Sequence, residues 1–216
     1  MPEPRLMVIH DPMCSWCYAF STSLQALQRD LPPVIGFHYV LGGLAPDTTT
    51  PMPLEMQQAI QQTWRHIETT VPGVRFNFDF WTATTPIRST YPACRALLAA
   101  REQGPDCETQ LLRAIQSAYY QQARNPSLLD TLEQCAAETG LDTVAFGRAL
   151  LSPEIEQALQ HDIQTSRGMG VTAYPSLRLL HDEQQSAISV DYFNHQTMLE
   201  QIADLLNQWP HSGSAG

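Results

Sequence analysis

The chain has 216 residues, 43% of them hydrophobic, which is enough for a core of its own, and its formal net charge is −10. All twelve basic residues are arginine and no basic cluster occurs, which argues against nucleic-acid backbones and anionic membranes as partners. No charged-then-apolar leader opens the sequence, and no apolar run approaches the roughly 20 residues of a membrane span; the expectation is a soluble cytoplasmic protein whose five cysteines are thiols rather than a disulfide framework.

Residues 5–10, carrying Leu6-Met7-Val8-Ile9, read as a buried strand. Residues 14–30 have helical spacing, with Phe20, Leu24 and Leu27 toward a core, and Pro32-Pro33 stops them. A second strand is expected over 34–40, where Ile35, Phe37 and Tyr39 alternate with Gly36 and His38. Gly42-Gly43 turns the chain, and the Thr/Pro-rich stretch 45–53 reads as a linker. The next segment is helical. Residues 54–71 place Met56, Ile60, Trp64 and Ile67 on one face, and the aromatic run Phe76, Phe78, Phe80 and Trp81 reads as a loop lying on apolar surface. Thr90 is the expected N-cap of a helix over 92–103, ended by Gly104-Pro105. Further helices are expected from Asp106, with Leu111, Leu112, Ile115 and Tyr119 inward, then over 127–139 and 142–151, and from the Ser152 cap with Pro153 at the first helical position to about residue 166. Strands at 177–180 and 187–190, joined by a polar turn at 181–186, precede a closing helix over 194–208. Residues 211–216 read as a flexible tail.

The chemistry concentrates where the first strand becomes the first helix. Cys14 falls at the helix N-terminus, where unpaired N–H groups and the helix dipole favour a thiolate. Cys17, one turn on, is placed to resolve the mixed disulfide that such a thiolate forms. With no His or Lys between the cysteines, a moderate lowering of the Cys14 pKa is expected. Zinc sites also use C-x-x-C, but Cys94, Cys107 and Cys135 are single and far apart and no paired-His spacing accompanies them, so no metal is expected. Ser15 and Trp16, between the cysteines, are substrate-contact candidates; the alternative for Trp16 is plain surface packing. His10 and Asp11 are candidates for a proton relay to Cys17, or for strand-end hydrogen bonding. Cys94 and Cys135 fall on apolar helix faces and read as packing thiols. Cys107 is the one expected near the surface, with a third redox thiol as its alternative role.

The motifs Cys14-Ser15-Trp16-Cys17 and Gly170-Val171-Thr172-Ala173-Tyr174-Pro175 together resemble the thioredoxin-fold superfamily and, within it, the DsbA family. Asp11-Pro12-Met13, Leu41-Gly42-Gly43-Leu44 and Pro92-Ala93-Cys94-Arg95-Ala96 are similar to its cytoplasmic FrnE-like branch of predicted protein-disulfide isomerases. The chain departs from relatives in its Ser-Trp dipeptide, where oxidising DsbA has Pro-His and thioredoxin Gly-Pro, and in Ala173, where many have Gly. The resemblance implies an α/β thioredoxin-like fold made of 1–45 and 167–210, with a large all-helical insertion over 46–166 between the second strand and the cis-Pro strand. It implies Pro175 as a cis proline beside the sulfurs, with the Tyr174 backbone offered to an extended substrate by strand addition. The implied activity is thiol–disulfide exchange or isomerisation on thiol- or disulfide-containing proteins and peptides. It needs no cofactor beyond the redox pair, which glutathione or another thiol protein resets as co-substrate. The first alternative is a glutathione-dependent transferase or isomerase like the kappa-class enzymes, which typically have Ser at the Cys14 position. The second is a non-catalytic or zinc-holding binding module. The oligomeric state stays open.

Overall fold

A computed structural model describes residues 3–209, so the tail expected at 211–216 lies outside the described residues. In chain order the elements are β1 (Arg5–His10), α1 (Ser15–Asp30), β2 (Gly36–Leu41), α2 (Leu54–Thr70), α3 (Phe80–Ala83), α4 (Tyr91–Arg101), α5 (Cys107–Tyr120), α6 (Leu129–Glu138), α7 (Thr143–Leu150), α8 (Pro153–Gly168), β3 (Ser176–His181), β4 (Gln184–Ile188) and α9 (His195–Gln208). The strands form one sheet in the order β2-β1-β3-β4. β1 and β2 are parallel, joined through α1, while β1–β3 and β3–β4 are antiparallel. The seven helices α2–α8 all fall between β2 and β3. This is the α/β thioredoxin-like fold with a helical insertion.

The uninterrupted apolar run of β1 reflects burial on both sides, as central strands of covered sheets require. Leu6 and Val8 pack with Phe20, Leu24 and Leu27 of α1 and Met198 and Ile202 of α9. Ile9 packs on the opposite face with Val40, Met169 and Val171. A third and larger core fills the insertion around Trp64, Phe80, Leu97, Leu111 and Phe146. It also takes in Met13 and Ala19, so the insertion packs directly onto the segment that carries the two cysteines.

Local signals set several helix starts. Ser152 accepts from the Ile155 N–H at 3.2 Å, Asp142 from Val144 and Ala145 at 2.9 and 3.0 Å, and Asn194 from Gln196 at 3.1 Å. Thr90 is different. It precedes α4 but makes no capping bond: its hydroxyl oxygen accepts from the Ala45 N–H at 3.1 Å and its proton goes to Asp11. The aromatic run holds the short helix α3 rather than only a loop, and Trp64 collects it: Phe76 stacks on the indole at 4.8 Å and Trp81 lies at 5.0 Å. Met56 is exposed, so the buried stripe of α2 narrows to Trp64 and Ile67. β4 begins three residues earlier than its apolar content suggests. Pairing with β3, from His181↔Gln184 to Leu177↔Ile188, recruits the polar Gln184 and Gln185 and leaves a tight turn at Asp182 and Glu183.

Candidate active site

The site grows out of a turn that β1 leads into. Asp11, Pro12, Met13 and Cys14 form a β-turn closed by the Cys14 N–H on the Asp11 carbonyl at 3.1 Å, with Asp first and Pro second as such turns prefer. The turn delivers Cys14 to the N-cap of α1 with extended backbone (φ −82°, ψ 118°), and Cys17 follows one turn into the helix. Both sulfurs are buried or nearly so, and all five cysteines are free thiols.

The two thiols differ in acidity. The Cys14 pKa is lowered, first because the Cys17 thiol donates to the Cys14 sulfur. Burial opposes ionisation, and the N–H groups of Cys17 and Trp16 favour it; these are the positions from which an N-cap side chain receives hydrogen bonds. The Cys17 thiol is pushed well up, by burial first and then by its role as donor to Cys14. When protonated, Cys14 donates instead to the Tyr174 carbonyl at 3.6 Å. The Tyr174–Pro175 peptide bond is cis. The Tyr174 phenol donates to the Gly42 carbonyl at 2.8 Å, and a Cβ at Gly42 would overlap the Tyr174 ring, so the first glycine of Gly42-Gly43 is what lets the Pro175 loop close over β2.

Beneath the sulfurs lies Asp11, fully buried. Its carboxylate accepts from the Met13 and Leu44 N–H groups at 2.8 and 2.7 Å, from the Thr90 hydroxyl at 2.7 Å and from the Cys94 thiol at 3.6 Å. Burial raises the Asp11 pKa against the pull of these four donors. Its charge stands near enough to disfavour ionisation of both Cys14 and Cys17. His10 is also buried, stacked at a tilt against Tyr39 with ring centroids 4.9 Å apart, and its Nε2 has no partner. Burial, helped by the Arg101 charge, lowers the His10 pKa to about 3, so the ring is neutral at physiological pH.

A groove of about 220 Å³ opens over Cys14. It is lined by Met13, Cys14, Ser15 and Trp16, by Ile60 and Thr63 of α2, and by Ile87, Arg88 and Tyr119. Trp16 is held edge-on between Tyr192 and His66, at 5.2 and 5.8 Å. Ser15, Trp16, Tyr174 and Pro175 thus gather around Cys14 and Cys17, with Asp11 and His10 below. Cys107 is not brought here: it opens α5, whose far end supplies Tyr119 about 18 Å along the helix axis. Sequence reasoning missed part of what surrounds Cys14 and Asp11. Arg88 carries no local signal, Thr90 reads as a cap, and Cys94 reads as a thiol that merely packs.

The electrostatics yield a direct expectation. Cys17→Ala deletes the leading hydrogen bond to the Cys14 sulfur, so the pH at which Cys14 becomes reactive moves up, whereas Cys17→Ser, which keeps a donor, moves it less. Following iodoacetamide alkylation against pH reads this midpoint. An equal shift in both variants would show that the Cys17 donor has no part in Cys14's acidity.

Comparison with known proteins bears on the family and the fold. A sequence model described as thioredoxin matches residues 8–201. The ClpXP adapter protein SpxH of Halalkalibacterium halodurans is 25% identical over 206 residues, covering 93% of this chain and 67% of that protein. SpxH of Bacillus subtilis is 25% identical over 177 residues, covering 81% and 58% respectively, so the chain spans about three fifths to two thirds of the length of these curated relatives. Among solved structures, a candidate protein disulfide isomerase from Nitrosomonas europaea superposes with a TM-score of 0.84 at 24% identity, over 97% of this chain and 100% of that one. The cytosolic disulfide reductase DsbM of Pseudomonas aeruginosa, solved also with glutathione, superposes at 0.74 with 21% identity over 94% and 98%. The chain belongs to the thioredoxin family and has the DsbA-type fold of these structural neighbours.

Proposed function

We propose that the protein is a thiol–disulfide oxidoreductase working through Cys14 and Cys17. One observation carries the reading: two thiols one helical turn apart, the outer one at a helix N-cap with its pKa lowered and the inner one with its pKa raised by burial. That asymmetry suits sequential exchange. The Cys14 thiolate attacks a substrate disulfide, forming a Cys14–substrate mixed disulfide and releasing the other substrate sulfur as a thiolate. Cys17 then loses its proton and attacks the Cys14 sulfur, releasing the second substrate thiol and leaving the Cys14–Cys17 disulfide. Two electrons pass to the substrate, and a thiol such as glutathione restores the pair. In this scheme Asp11 takes the Cys17 proton, because burial raises its basicity and it lies beside both sulfurs. His10, held neutral, assists by packing and position.

The reduced pair also supports reshuffling of substrate disulfides, the isomerase form of the same chemistry. Tyr174 and Pro175 offer backbone to an extended peptide, and Ser15 and Trp16 flank its cysteine. Five free thiols suit a reducing compartment, and we place the protein in the cytoplasm. Among the described residues no helix is long and apolar enough to cross a membrane. The redox centre we assign is the Cys14–Cys17 pair, on the asymmetry of the two thiols.

The curated relatives are ClpXP adapter proteins, which favours a second reading, a protein-binding adapter in which the cysteines are dispensable. One titration separates the two. The protein is equilibrated in glutathione buffers of graded redox poise and its thiols counted by alkylation mass shift. The oxidoreductase gives a single two-electron transition between Cys14 and Cys17. Absence of any disulfide between them across the range would refute the exchange mechanism and leave the adapter reading.

A further inference from the structure

Among the described residues, Arg88 is the only one with a charged side chain that lines the groove shared with Cys14. It sits half-buried in the segment 84–90 that precedes α4. Its charge reaches Tyr119, another groove residue, whose phenol is pushed up by burial and drawn back by Arg88. Among the described residues Arg29, Arg95, Arg101 and Arg124 form ion pairs and the other arginines do not; of these others, Arg88 is the one that lines the groove over Cys14. In a chain with 22 acidic and 12 basic residues, acids are plentiful, and a guanidinium left without one beside a reactive sulfur is open to an acid from outside. The surroundings sharpen the choice of ligand. The remaining lining is apolar (Met13, Leu44, Met52, Ile60) or carries hydroxyls, and the Thr90 hydroxyl is already committed to Asp11. Asp11, below, repels any second negative charge near the sulfurs. An anionic group is therefore accepted in this groove only where Arg88 meets it.

Resting on the oxidoreductase reading, we propose that the groove selects thiols and disulfides that carry a carboxylate beside the reacting sulfur, with Arg88 receiving that carboxylate. The planar guanidinium pairs with a carboxylate through two parallel hydrogen bonds, which fixes the orientation of the ligand as well as attracting it. The groove's volume, about 220 Å³, lies below the roughly 300–1,000 Å³ of sites that enclose a drug-sized ligand. It suits one cysteine and its immediate neighbours. Two sources supply such a group: a small cysteinyl peptide with free carboxylates, and a protein segment with Asp or Glu next to its cysteine.

The test compares wild type, Arg88→Gln and Arg88→Lys on three disulfides: glutathione disulfide, neutral bis(2-hydroxyethyl) disulfide, and a capped peptide disulfide with Glu next to Cys. The readout is kcat/KM for each charged disulfide divided by that for the neutral one. In Arg88→Gln this ratio falls about tenfold, equivalent to about 1.4 kcal/mol, and in Arg88→Lys it falls less, because a point charge survives without the fork. The wild-type ratio also falls as salt screens the pair. A fall for glutathione disulfide alone identifies the small peptide as the source, and a fall for the capped peptide identifies the protein segment. A ratio unchanged within twofold for both overturns the assignment of Arg88. Wild type inert toward all three, the neutral disulfide included, overturns the oxidoreductase reading itself.

Discussion

Cys17→Ser is expected to arrest the proposed exchange half-way. The Cys14 thiolate still attacks, because its helix N-terminus and a hydroxyl donor at position 17 remain, but no second thiol stands one turn away to release the product. The expected result is a mixed disulfide between Cys14 and substrate that survives for hours under non-reducing conditions, with two-electron turnover lost. Cys14→Ser removes the nucleophile and gives no adduct, and the rate falls roughly 10³-fold or more, the scale seen when a catalytic pair loses its attacking atom. Mass spectrometry of the trapped adduct decides the matter. An adduct on Cys17 rather than Cys14 would invert the assignment. An adduct on Cys94 or Cys107 would move the chemistry off this turn. The expectation is safe for Cys94, which is fully buried and pushed well above the ordinary thiol range by that burial.

Trp64→Ala is expected to be the most destabilising single truncation in the insertion. The indole is fully buried and touches six aromatic rings, those of Phe76, Phe78, Phe80, Trp81, Tyr119 and Tyr120. Deleting a buried Trp costs about 3–5 kcal/mol, since the lost transfer energy is joined by the cavity its neighbours cannot close. For a domain of this size that is roughly 6–20 °C in melting temperature. Trp64→Phe keeps part of the ring contact and should lose less than half as much. The change also reaches the groove, because Tyr119 packs on Trp64 and lines the groove shared with Cys14. Differential scanning calorimetry on the three proteins is the measurement. A loss below about 2 °C in Trp64→Ala would show that the aromatic cluster is not the keystone of the insertion.

These two cases mark different kinds of legibility. What the sequence determined by itself is short-range. The apolar run of β1, the Asp-Pro turn and the first turn of α1 fall within a dozen residues, so backbone geometry alone places Cys14 at an N-cap and Cys17 one turn below it. Helix starts at Ser152, Asp142 and Asn194 are equally local, since each cap bonds a backbone N–H two or three residues on. β4 was less legible, because its first residues are polar and pair only through the ladder to β3. Tertiary structure alone decided the surroundings of the sulfurs. The Thr90 hydroxyl meets Asp11 across 79 positions, the Cys94 thiol meets it across 83, and the Tyr174 carbonyl meets Cys14 across 160. Such contacts follow from how the insertion packs back onto the cysteine-bearing turn, a global packing solution that leaves no periodic trace in the chain. For the same reason Arg88 was silent in the sequence: an arginine in an irregular segment declares nothing until the fold shows that it lines the same groove as Cys14.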